Sequence, residues 1–131
     1  MKIAFRTHDL GVKGAEAAVE KLHQSGIDAV QLVAYKFIDE IPYKPNALTE
    51  ENAKALGDTL SKGGITVGLI GAYFNPVHYN KEKVANCKAV FKDYLKYSNL
   101  LGCNIVGSET GSFNDDKWTY NPLNRTEEAL R

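Results

Sequence analysis

The sequence predicts an α/β fold, the first half of a parallel eight-stranded β/α barrel, carried as one domain over residues 1–131. Three observations predict it. Short apolar runs alternate with amphipathic helical stretches, each helix closes on glycine just ahead of the next strand, and polar residues gather just after the strands.

The first strand-like run covers residues 3–7, the second 29–34, the third 65–73 and the fourth 104–107. Each is short, nearly continuously apolar or small, and bounded by glycine or polar residues, which is the pattern of a strand covered on both faces. Between them, Ala15, Ala18, Val19 and Leu22 fall at helical spacing with Glu16, Glu20 and Lys21 opposite. A second helix is expected from an N-cap at Thr49 through Ala53, Leu56 and Leu60. A third places Val84, Cys87, Phe91, Leu95, Ser98 and Leu101 on one stripe. These helices close at Ser25-Gly26, Gly63-Gly64 and Gly102, where glycine accepts a left-handed conformation. A fourth helix is expected to open at Asn124 or Thr126, with Glu127 in its first turn, and the sequence stops about two turns into it.

Strands joined through helices must run parallel with right-handed crossovers. The strand spacing suits a barrel of about 250 residues in eight units, so the chain would hold four strands and three to four helices, a truncated barrel. The rival is a complete doubly wound sheet. Against it, the first turn, residues 7–14, has no G-x-G-x-x-G phosphate cradle, and the loops after strands two and four are long, polar and aromatic.

Lysine plus arginine balances aspartate plus glutamate at 16 each. That neutrality lacks the basic excess on which nucleic-acid or anionic-membrane binding relies, so a small-molecule partner is expected. Residues 1–6 do not read as a signal peptide, and no apolar run reaches membrane-spanning length. Cys87 and Cys103 show no metal or redox spacing and are expected to be buried, reduced thiols, which fits a cytoplasmic protein.

In a parallel barrel the chemistry gathers at the C-terminal ends of the strands. Arg6, His8 and Asp9 follow the first strand; Gln31 interrupts the second and Lys36 follows it. Tyr73, Asn75 and His78 follow the third, and Ser108, Glu109 and Thr110 the fourth. Each has a plainer explanation. His8 beside Asp9 is either an acid/base steered by a carboxylate or a loop histidine. Gln31 needs a partner when buried, in the core or on a substrate. Asn75-Pro76 is a turn signal whatever else it does, and His78 suits a solvated loop. Glu109 is the strongest candidate, since Gly107 and Gly111 beside it leave room for a ligand. Tyr35, Phe37 and Tyr43 either wall a pocket or pack a loop. No metal constellation is complete, and there is no Ser-His-Asp triad or Walker loop.

At Gly71-Ala72-Tyr73-Phe74-Asn75-Pro76-Val77-His78, and again from Leu101-Gly102-Cys103 through Gly107-Ser108-Glu109-Thr110-Gly111, the chain resembles the sugar phosphate isomerase/epimerase family. Its domain is the xylose isomerase-like TIM barrel. Order and spacing match across nearly the whole chain; Ser108 stands where the family pattern has threonine. The resemblance implies aldose–ketose isomerisation or epimerisation of a sugar or sugar phosphate by proton transfer next to a carbonyl. It implies a divalent metal (Mn, Mg, Co or Zn) in the complete barrel, held by two Glu, an Asp and a His from strands five to eight, and none for this chain alone. What carries over is a substrate-side wall of Asn75, His78 and Glu109, with His8. Two alternatives remain: a non-catalytic half-barrel that self-associates as a homo-oligomer, and an endonuclease-IV-like repair barrel. The latter calls for histidines at the ends of strands three and four, where residues 70–75 and 107–111 have none.

Overall fold

The computed structural model describes residues 3–114 and 120–127. Four parallel strands, β1 (Phe5–Arg6), β2 (Ala29–Leu32), β3 (Thr66–Gly71) and β4 (Val106–Gly107), form one sheet in the order β1-β2-β3-β4. Three α-helices connect them: α1 (Ala15–Gln24), α2 (Glu50–Lys62) and α3 (Lys81–Tyr97). The expected alternation is present, but the strands are shorter than their apolar runs. The two marginal strands pair over two residues each. No helix among the described residues is long and apolar enough to cross a membrane.

Local chemistry sets the helix boundaries. Thr49 caps α2 by accepting the Asn52 amide hydrogen, while the Asn52 side chain accepts that of Thr49, so two otherwise orphaned donors are satisfied. Asn80 does the same for α3 by accepting from the Lys83 amide. Gly26, Gly64 and Gly102 adopt left-handed φ after α1, α2 and α3. The stripe on α3 departs from expectation at one position. Leu95 is half-exposed, and Tyr94, packed edge-on against Tyr35, takes the buried place. The inward row therefore steps 84, 87, 91, 94, 98, 101, with Val90 buried beside the partly buried Cys87 and Phe91.

Core side chains Val30, Leu32, Val67 and Ile70 come from one side of the sheet and meet Leu22, Leu56, Leu60 and Leu101. The other side is more open: Gln31 and Leu69 are only partly buried. The expectation of strands covered on both faces therefore fails within this chain. A bulge keeps the two sides distinct. Val67 pairs with Val30 and Leu69 with Gln31, so β3 spends two residues where β2 spends one. Were Gly68 paired in register instead of bulged out, strict alternation would place Val67 and Ile70 on opposite faces.

Two further expectations are corrected. Cys87 and Cys103 are unpaired, as read, but only partly buried, and Cys103 lies ahead of β4 with its sulfur accepting from the Ile105 amide. Of the two openings expected for a fourth helix, the one at Asn124 is replaced by a 3-10 turn at Pro122–Arg125, while Glu127, just after Thr126, is helical. The Asn124 side chain accepts from the Phe113 amide and donates to Ser112 Oγ. Thr126 has the extended backbone of an N-cap ahead of Glu127, and residues 128–131 of the expected helix lie outside the described residues.

Candidate functional site

A cavity of about 630 Å³ opens at the C-terminal ends of the strands and draws residues from all four units. β1 contributes Arg6 and, in the 3-10 turn that follows, His8; β2 and its loop contribute Gln31, Val33, Tyr35, Lys36 and Tyr43. The segment after β3 contributes Tyr73, Phe74 and Asn75, and the one after β4 contributes Glu109, Gly111 and Ser112. Lys83 and Cys87 reach in from the first turns of α3.

Thr7, fully buried, positions the first two units. Its hydroxyl accepts the Val33 amide hydrogen at 3.0 Å, extending the β1–β2 contact beyond the strands. His8 stands at the cavity with Nδ1 buried and without a hydrogen-bond partner, the kind of group that a ligand or a water satisfies. Asp9 does little to steer it. The Asp9 carboxylate lies 2.6 Å from the Arg6 guanidinium and 3.9 Å from His8 Nε2.

The aromatic candidates divide. Tyr35 and Tyr43 line the cavity, with ring centroids 4.6 Å apart in an edge contact, whereas Phe37 is fully buried in the core. Burial raises the Tyr35 phenol above the ordinary tyrosine value; a backbone hydrogen bond at Tyr73 opposes the rise, and the nearby Glu109 carboxylate adds to it. Tyr43 is raised further, first by burial and then by the neighbouring Cys87 thiol. Tyr94 is raised by burial. All three phenols therefore stay neutral at physiological pH.

Asn75 lines the cavity with its polar atoms engaged. Its amide donates to the Ser112 carbonyl, and its oxygen accepts from the Ser112 and Val77 amides at 3.0 and 3.2 Å. It clasps the loop after β3 to the loop after β4. Gly111 belongs to the same clasp: its φ is +85°, and a Cβ there would lie 2.5 Å from Asn75 Oδ1 and 2.6 Å from Pro76 Cδ. Gly107 would press on Leu69. Gly111, which also lines the cavity, thus allows the close approach of Asn75 and Pro76, while Gly107 faces the Leu69 side chain more loosely.

His78 is not a solvated loop residue and does not line the cavity. It is nearly fully buried, stacks on Tyr79, and its Nδ1 accepts the amide of the capping residue Asn80. Ser108 and Thr110 are exposed outside the cavity lining. Lys83, Cys87 and Phe74 were missed as lining residues; Cys87 already stood on the inward stripe of α3, and Lys83 lies one turn before it. Among the described residues, no three His, Cys, Asp or Glu side chains converge as a metal requires, so those residues do not themselves fit a metal centre.

Comparison with protein-family models, with curated proteins and with solved structures finds no match to this chain.

Proposed function

We propose that the chain is a segment of a metal-dependent sugar or sugar phosphate isomerase or epimerase, acting in the cytoplasm, and that it forms the substrate-side wall of a xylose isomerase-like TIM barrel. The observation that carries this reading is the cavity at the strand ends, to which every unit contributes. The sequential strand order supports it, because a doubly wound sheet reverses direction at its switch point. The lining suits a carbohydrate: aromatic rings from Tyr35, Tyr43 and Phe74 beside amide, hydroxyl and carboxylate groups. Glu109, exposed near Tyr35, is the carboxylate best placed to accept hydrogen bonds from substrate hydroxyls. The unpaired cysteines agree with a reducing compartment. A bound divalent metal would supply charge stabilisation next to the reacting carbonyl. Its ligands, and the carboxylates that move the proton, would stand on strands five to eight.

The test compares this chain with an in-frame extension carrying those strands, each incubated with aldoses and ketoses in D₂O with Mn²⁺ or Mg²⁺. The chain alone is expected to bind sugar saturably and exchange no substrate proton, and the extension to exchange it only with metal. Metal-dependent exchange by residues 1–131 alone would overturn the proposal.

One observation favours a second reading, self-association as a half-barrel. The more open face and both margins of the sheet leave Ile3, Phe5 and Ile105 exposed. Light scattering at tens of micromolar protein would then give a dimer mass, and a stable monomer would eliminate this reading.

A further inference from the structure

We infer that Gln31 and Tyr73 form a two-point receptor for adjacent oxygens of a carbohydrate, a hydroxyl together with its neighbouring hydroxyl or carbonyl. This rests on reading the cavity as a sugar site and names what its floor recognises.

The pair is built by the sheet. Gln31 stands on the more open face of β2, where it interrupts an apolar run and is only partly buried. Tyr73 follows β3, and its ring lies against Gly71, where a Cβ would come within 2.4 Å of Tyr73 Cε2 and 2.9 Å of its hydroxyl. The absent side chain at Gly71 therefore lets the ring fold back over the strand, and its hydroxyl meets the Gln31 amide from the neighbouring strand. Both residues line the cavity.

Their mutual hydrogen bond fixes what remains to offer. As Gln31 Nε2 donates to Tyr73 Oη, the phenolic hydrogen is left to point elsewhere, and Gln31 Oε1 keeps its acceptor capacity. With the amide turned over, the phenol donates to Gln31 Oε1, and the amide hydrogens and the phenolic oxygen remain. Either way the pair presents an acceptor on one group and at least one donor on its hydrogen-bonded neighbour. The complement is a ligand with one oxygen that donates and an adjacent one that accepts, as a vicinal diol or an α-hydroxycarbonyl has. A phosphate, which only accepts when fully ionised, matches half of the pair. Both residues are partly buried at the cavity, which adds to the cost of a mismatch, because a polar group left unpaired there weakens binding more than a well-made hydrogen bond strengthens it.

The test is binding of ribitol and its monodeoxy analogues to residues 1–131, followed by ligand-observed NMR. A polyol has no carbonyl to isomerise, so the readout is independent of turnover. Tyr73→Phe removes only the hydroxyl and leaves the ring on Gly71; Gln31→Met keeps the volume. Each is expected to weaken ribitol binding about 3- to 10-fold, the worth of one neutral hydrogen bond. For the deoxy analogue lacking the contacted hydroxyl, the variants should make no further difference. Tyr73→Phe that binds every polyol like the parent, or that weakens every analogue by one common factor, would overturn the inference and leave the sugar site standing. Failure of the parent chain to bind any polyol would overturn both. Unchanged thermal midpoints for the two variants guard against misfolding.

Discussion

Gly57→Ala is expected to lower the thermal midpoint by about 10 °C or more, although alanine is the better helix former by about 1 kcal/mol. Gly57 is buried in α2 where the chain after α3 crosses it, and a Cβ there would lie 1.8 Å from the Leu100 carbonyl oxygen and 2.9 Å from its carbon. The obstacle is backbone, so no rotamer relieves it. Leu101 beside it is fully buried, and its amide donates to the Tyr97 carbonyl, which leaves that segment little freedom to retreat. Either α2 moves off the core or the end of α3 does. Overpacking of this kind costs about 3 kcal/mol, which outweighs the helix-propensity gain. Circular dichroism melting checks it, and a midpoint within about 2 °C of the parent would show that the two elements part more easily than their packing implies.

Asn75→Ala should produce the second large effect, a loss of about 2–3 kcal/mol from three hydrogen bonds to partly buried backbone groups. The variant also orphans the Ser112 amide and carbonyl. Asn75→Asp separates the contributions: it keeps an oxygen for the Ser112 and Val77 amides but turns a second carboxylate oxygen toward the Ser112 carbonyl, in place of the donor that now meets it. Both variants should melt earlier, and a protease should cut within residues 108–114 faster than in the parent. If cutting is unchanged while stability falls, the clasp stabilises the fold without ordering the loop.

What the sequence disclosed divides along the range of the interaction. The caps at Thr49 and the glycine stops at Gly26, Gly64 and Gly102 depend on residues within one turn of them, and they were legible. The extent of the strands was not, because a ladder is only as long as its partner, and β1 and β4 each pair on one side. On α3, hydropathy favours Leu95 over Tyr94, whereas the place inside was decided by Tyr35, about sixty residues away in the chain. At the site, His8, Gln31, Asn75 and Glu109 do meet in one cavity, as the strand-end rule anticipates. Their roles were less legible. Asn75 is spoken for by Ser112, 37 residues later, and His78 by the start of α3. The Asn75 engagement leaves no mark in the local sequence, and the same distant pairing brings Asn75 and Pro76 against Gly111, whereas the His78 contact spans only two residues and depends on where α3 begins.

The bulge in β3 has a consequence for descent. Because one residue there is surplus to the pairing, β3 records a difference in length rather than in identity. A relative that lost Gly68 would lose the bulge and keep the same residues inside and outside, whereas one that kept the residue but paired it in register would turn every position on one flank to the other face. Aligned relatives would then show a single-residue gap at Gly68 with Val67 and Ile70 still apolar, a change of length that leaves the inward pattern intact.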